Sequence, residues 1–259
     1  MIRFLILLLV CGCAWGKTPP QSILLYNETT GHHLIRENTE TVRPIASITK
    51  VMTAMVALDY DQDLTRPLKL VGKTWGILPR GTWSRGQVLE AMLVRSDNDA
   101  AETLAADYPG GRDAFIEAMN AKARVLEMPH ANFSDPSGLD NRNTTTVTGV
   151  ERLLLAGYRY PLIKEISVKK QLLFEQRSKN FVRKIELFNT NKELLFEFDN
   201  IVLTKTGLTN PAGWCLGMVV EQGINKYVIV ILGSNTKLDR LKTARKIMNG
   251  ITYEDQKVR

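Results

Sequence analysis

Apolar positions along the chain fall into three blocks. Ile23 to Asn27 and His32 to Glu37 are short strand-like runs joined by Glu28-Thr29-Thr30-Gly31, a polar turn closed by glycine, which predicts a hairpin. From Ser47 to Tyr60 the pattern turns helical, opening after Pro44 and apolar on most sides through Val51, Met52, Met55, Val56 and Leu58, as a buried helix would be. Gln87 to Arg95, Asp99 to Asp107, Arg112 to Glu127 and Thr148 to Tyr158 continue that character. They are interrupted at Tyr108-Pro109-Gly110-Gly111 and at Asp135-Pro136-Ser137-Gly138. After about residue 180, Phe181 to Leu187, Ile201 to Lys205, Trp214 to Glu221 and Tyr227 to Leu232 predict consecutive antiparallel strands. Asn235 to Met248 predicts a closing helix with Leu238, Leu241, Ala244 and Ile247 on one face. The first and last blocks can then share one sheet, with the helical block packed beside it.

With 259 residues, 44% apolar and 24% charged, the chain suits one large globular unit. Residues 1–16 read as a secretory signal: Arg3, the apolar run Phe4 to Val10, then Ala14-Trp15-Gly16 as a small-x-small cleavage site. That run is far shorter than the ~20 residues that span a bilayer. The domain is placed at 17–250, with a tail at 251–259 and an exported, periplasmic address. Lipid attachment at Cys13, with loose membrane association, is the alternative reading of the leader. Processing would leave Cys215 alone, without a disulfide, inside the apolar run Trp214 to Val220 that marks it as core. His32, His33 and His130 form no cluster, so neither a metal nor a cofactor is expected. The net charge of +7 suits an acidic partner, but the basic residues are dispersed without an aromatic stripe, which argues against nucleic acid.

Three short elements carry candidate chemistry. Ser47-Ile48-Thr49-Lys50 puts a hydroxyl and an amine three residues apart, on one face of the buried helix at its positive end. For Lys50 to take a proton from Ser47 its pKa must fall, which burial and a nearby cation achieve. Ser96-Asp97-Asn98 lies between two helices, where Ser96 and Asn98 can face a cleft; capping of the next helix by Asp97 or Asn98 is its plainer reading. Lys205-Thr206-Gly207 ends a predicted strand, and its glycine admits close approach of a substrate backbone. A second Ser-x-x-Lys, Ser167 to Lys170, is followed by Ser178-Lys179-Asn180. That pair sits among Lys169, Lys170, Arg177 and Lys179 and reads as solvated surface.

In this order the three elements resemble the Ser-x-x-Lys, Ser-Asp-Asn and Lys-Thr-Gly set of penicillin-binding proteins and class A β-lactamases. The chain resembles a low-molecular-mass penicillin-binding protein, most of all the D-alanyl-D-alanine endopeptidase branch. Further stretches carry the likeness: Leu78 to Thr82, Phe133 to Leu139, Asn189-Thr190-Asn191, and Lys205 to Leu216. The resemblance implies an α+β, β-lactamase/transpeptidase-like fold, a five-stranded antiparallel sheet flanked by helices with an all-helical subdomain. It also implies roles: Ser47 as nucleophile on a D-alanine carbonyl, Lys50 as base, Ser96 as proton relay. Asn98 would hold a substrate amide, Lys205 supply positive potential, Thr206 bind a carboxylate, and Gly207 line the cleft. The N–H groups of Ser47 and Leu208 would form the oxyanion hole. The implied partners are peptidoglycan stem peptides, with β-lactams as covalent inhibitors.

Neighbouring activities stay open at this level. Asp97 gives the triplet associated with β-lactamases, yet no Glu-x-x-Leu-Asn run lies between Ser96 and Lys205 to activate a deacylating water. A D,D-carboxypeptidase shares the chemistry; many carry a further β-rich domain, whereas this chain ends at Arg259. A non-catalytic β-lactam sensor would keep the fold and lose turnover. The reading demands that Ser47, Lys50, Ser96 and Lys205 converge with neighbours about 3 Å apart.

Overall fold

A computed structural model describes residues 20–72, 76–177 and 182–257; the predicted leader with Cys13, and Ser178, lie outside them. β1 (Ser22–Asn27) and β2 (His32–Glu37) form the predicted hairpin. β3 (Arg43–Pro44) leads into a 3-10 turn at Ala46–Ile48 and then α1 (Thr49–Tyr60). β4 (Pro67–Lys69) and β5 (Thr82–Ser84) precede α2 (Arg85–Glu90), a π-helical turn at Ala91–Arg95, α3 (Asn98–Ala106) and α4 (Gly111–Val125). β6 (Thr144–Thr145), α5 (Val147–Tyr158) and α6 (Pro161–Ser167) lead to β7 (Gln171–Arg177) and β8 (Val182–Phe188). α7 (Lys192–Glu197), the meander β9 (Ile201–Thr209), β10 (Gly213–Gln222) and β11 (Asn225–Ser234), and α8 (Lys237–Lys257) complete the chain.

The main sheet runs β2-β1-β11-β10-β9, antiparallel throughout, so the first and last blocks do share it. Its side chains alternate between two cores, because successive residues of a strand point to opposite faces. Leu24, Val228, Val230 and Leu232 join the core that holds α1 and α5. Ile23, Leu25, Ile229 and Ile231 face Leu241, Ala244, Ile247 and Met248 of α8. Both faces are therefore covered, which explains why β10 and β11 read as nearly unbroken apolar runs. α1 is buried from Thr49 to Leu58. Truncating one such buried aliphatic side chain to Ala costs about 2–5 kcal/mol.

Five sequence expectations change. β8 does not join the main sheet but pairs with β7 in a separate hairpin. There Leu172, Phe174, Ile185 and Leu187 are buried, while Glu175, Lys184 and Glu186 are exposed at alternating positions, which disguised the hairpin as surface. Ser167 is accordingly buried rather than solvated, within hydrogen-bonding distance of Lys164 O and the Thr204 amide. Lys205-Thr206-Gly207 sits inside β9, which continues to Thr209. Leu238 is 54% exposed while Arg240 is buried, and α8 continues as far as Lys257, into the stretch read as a tail. Cys215 is buried as core. Among the described residues, no helix is long and apolar enough to cross a membrane.

Candidate active site

Ser47 stands in the 3-10 turn just before α1, not in the helix itself. The turn's three-residue period still stacks Ser47 over Lys50, and their Oγ and Nζ atoms are 2.9 Å apart. The same amine lies 2.7 Å from Asn98 Oδ1 and 2.6 Å from the carbonyl of Ser137. That carbonyl belongs to the Asp135-Pro136-Ser137-Gly138 turn, where the Asp135 carboxylate accepts from the amides of Ser137 and Asp140. Asn143, wholly buried, braces this turn: its Oδ1 accepts from the Ser134 and Asp135 amides, and its Nδ2 donates to Thr49 Oγ1. Gly138 adopts φ 81°, and a Cβ there would lie 2.0 Å from the carbonyl oxygen of Ala46. Ala46 itself is held at φ 46°, an uncommon conformation for a residue with a side chain.

The second element is positioned by backbone irregularity. The π-helical turn ends at Arg95 and throws Ser96 into the left-handed region at φ 67°. Asp97, fully buried, caps α3 through Oδ1 at the Ala100 amide and uses Oδ2 for the amides of Ile77 and Leu78. Asp97 therefore points away from the cleft, while Ser96 and Asn98 on either side of it face inward. Ser96 Oγ accepts from Lys205 Nζ at 3.0 Å. Lys205 lies in β9, an edge strand of the main sheet, and Thr206 Oγ1 donates to Thr190 Oγ1 at 2.7 Å. A Cβ at Gly207 would lie 3.0 Å from both Ile45 O and Ser47 N, so glycine permits β9 to approach the turn that carries Ser47.

Both lysines are fully buried, which disfavours their charged forms. Burial brings the Lys50 ammonium down to about 7, against the attraction of Asp135, Asp97 and Glu102. Lys205 is pushed well below the usual lysine range, first by burial and then by repulsion from Lys50 and Arg240. A neutral amine in contact with a hydroxyl is an arrangement able to take the hydroxyl proton.

Ser47, Ser96, Asn98, Thr206 and Gly207 line one open cavity of about 360 Å³, and the exposed Leu208 stands at its edge. The structure thus brings together the sequence-predicted residues, and it leaves Ser167 out. It adds residues that motif reading missed. Arg240 of α8 reaches the same cavity, 1% exposed, over the Trp214 ring at 5.6 Å. Its Nη1 donates to Cys215 O at 3.4 Å, while Nε and Nη2 have no hydrogen-bond partner among the described residues. Such a buried, half-satisfied guanidinium is suited to a carboxylate. Nothing local announces it, since the helical pattern marks apolar positions and Arg240 breaks that pattern.

Residues 17–236 match the family model of peptidase S11, D-alanyl-D-alanine carboxypeptidase. Over 234 residues the chain is 36% identical to the D-alanyl-D-alanine endopeptidase of Pseudomonas aeruginosa, covering 87% of this chain and 75% of that one. It is 35% identical over 238 residues to the D-alanyl-D-alanine endopeptidase of Escherichia coli, covering 89% and 76%. It superposes with a TM-score of 0.79 on penicillin-binding protein D2 from Listeria monocytogenes in its ampicillin-bound form, 28% identical, covering 90% of this chain and 96% of that one. A family match over most of the chain, joined to this fold, means that the chain belongs to the S11 serine peptidases, the D-alanyl-D-alanine carboxypeptidase family.

Proposed function

We propose that this peptidase is an exported D,D-endopeptidase that hydrolyses D-alanyl cross-links of peptidoglycan through an acyl-enzyme on Ser47. The observation that carries the reading is the Lys50 amine, buried and in contact with Ser47 Oγ, Asn98 Oδ1 and Ser137 O. Neutral Lys50 takes the Ser47 proton as Oγ attacks the D-alanine carbonyl carbon. The N–H groups of Ser47 and Leu208 receive the developing oxyanion. The C–N bond then breaks, and Ser96 relays a proton to the departing amine. Asn98 holds a substrate amide, Lys205 supplies positive potential when protonated, and Thr206 with Arg240 receives the leaving-side carboxylate. Water hydrolyses the ester and restores the Ser47 hydroxyl. A β-lactam acylates the same oxygen.

Two relatives named D-alanyl-D-alanine endopeptidase, at 36% and 35% identity, support cross-link cleavage. Carboxypeptidase action on terminal D-alanine is the second reading, favoured by the family description. The mature protein is placed in the periplasm, with residues 1–16 removed or Cys13 lipidated; the mass of the mature N-terminus distinguishes these. The decisive experiment is intact-mass analysis after benzylpenicillin, wild type beside Ser47→Ala. A one-ligand adduct on the wild type alone is expected, and no adduct with no penicillin hydrolysis would overturn the reading. Digestion of cross-linked and uncross-linked muropeptides then separates the two peptidase activities.

A further inference from the structure

A second cavity, of about 230 Å³, continues the first on the far side of Thr206. The two share Arg95, Thr190 and Lys237 in their walls. Thr190 fixes the junction, because its hydroxyl accepts from Thr206 and its amide donates to Val94 O in the π-helical turn. The flanking asparagines tie the Thr190 segment to the fold: Asn189 Nδ2 donates to Ser167 O, and Asn191 Nδ2 to Thr204 Oγ1. The walls are rich in cations. Arg95 is exposed, and its side chain has no hydrogen bond or ion pair among the described residues. Lys192 rests over the Phe188 ring at 5.0 Å and makes no direct ion pair among the described residues, although its charge helps to lower the Glu193 carboxyl. Lys237 pairs with Glu193 at 2.6 Å, so Glu186 is the remaining carboxylate.

We propose that this second cavity is the leaving-side subsite of a cross-linked substrate, in which Arg95, Lys192 and Lys237 receive carboxylates of the peptide stem that departs as the amine. The inference rests on the acyl-enzyme reading above, which puts the leaving-side carboxylate at Thr206 and Arg240. In a carboxypeptidase turnover the leaving group is one amino acid and ends at that carboxylate. In an endopeptidase turnover the leaving group is a whole stem, bearing further free carboxylates, and must continue past Thr206. A built, cation-lined continuation at that point matches the second case. Arg95 adjoins Ser96, so the same π-helical turn sets both the proton relay and the first cation met by the departing stem.

The test compares Lys192→Glu and Lys192→Arg with wild type, because Lys192 lines the second cavity alone. Three readouts are taken: KM and kcat for a cross-linked muropeptide dimer, the same for an uncross-linked pentapeptide, and the rate of benzylpenicillin acylation. Reversing one exposed charge is expected to raise KM for the dimer roughly three- to tenfold, the scale of one or two exposed ion pairs. Acylation by penicillin and the pentapeptide KM stay at wild-type values, and Lys192→Arg restores the dimer. Unchanged dimer KM, or equal loss on dimer and pentapeptide, overturns the subsite. A wild-type enzyme that forms the penicilloyl adduct yet leaves the dimer intact also overturns it, with the acyl-enzyme reading standing. Absence of any adduct on Ser47 overturns that reading instead.

Discussion

Lys50 Nζ touches Ser47 Oγ at 2.9 Å while two carbonyl-type oxygens, of Asn98 and Ser137, lie still closer to it. A neutral amine has two N–H groups and one lone pair. The two closer oxygens take the N–H groups, which leaves the lone pair aimed at the serine hydroxyl. The geometry lets a neutral Lys50 act as a base on Ser47, and burial, which lowers its proton affinity, makes that neutral form accessible.

From that pairing a pH profile follows. Lys50 titrates at about 7 and is the active base when neutral, so the rate of benzylpenicillin acylation rises through that pH and levels off above it. Stopped-flow or quenched intact-mass kinetics from pH 5 to 9 measure the limb. Lys50→Arg retains charge across the range and is expected to lose both the rate and the limb. A flat profile in the wild type would mean that Lys50 does not accept the proton.

Asp97 supports the site from behind. Its two oxygens serve three backbone amides, of Ala100, Ile77 and Leu78, so Asp97→Asn turns an amide N–H₂ toward donors that need an acceptor. Hydrogen bonds to charged groups contribute about 1.5–3 kcal/mol, and a loss of that order is expected in urea unfolding. The Ser47 adduct should still form at saturating penicillin. Wild-type stability in Asp97→Asn would show that those amides find other acceptors.

Much of the fold was legible because its periodicities are local. The hairpin β1-β2, α1 and the meander β9 to β11 all appear where apolar spacing puts them. β7 was missed because its outward Glu175 and the polar residues Gln171 and Gln176 hide a strand whose inward residues, Leu172 and Phe174, need β8 to be recognised. The motif residues could be read from their order alone. What places them was hidden in backbone conformation: the left-handed φ of Ala46 and Ser96, and the π-helical turn. Asn143, which matches a glycosylation pattern in the sequence, proves to be wholly buried with its amide engaged. Arg240 reaches the site from a helix position that carries no motif, and Ser137 from a stretch that carries the likeness but announces no contact with Lys50.

The two Ser-x-x-Lys segments give a direct control. Ser167 is 1% exposed, near Lys164 O and the Thr204 amide, and lines neither of the two cavities described above. Ser167→Ala is expected to lower stability by about 1 kcal/mol and leave the penicillin adduct intact. Ser47→Ala should remove the adduct at unchanged stability. Adduct formation lost in Ser167→Ala but kept in Ser47→Ala would reverse the assignment.

Arg240 offers the sharpest separation of binding from chemistry. Its guanidinium is buried with two nitrogens unsatisfied among the described residues, and its charge helps to depress Lys205. Arg240→Ala removes charge-assisted bonds of about 1.5–3 kcal/mol, so KM for D-alanyl peptides is expected to rise roughly ten- to a hundredfold. Arg240→Lys keeps the charge but loses the two-pronged geometry, and falls between the two. Removing the repulsion also lets Lys205 hold its proton to higher pH. Any pH-dependent limb owed to Lys205 should therefore move upward in Arg240→Ala. A peptide KM unchanged in Arg240→Ala would mean that the substrate carboxylate is bound elsewhere, and that the guanidinium serves the packing of α8 on Trp214.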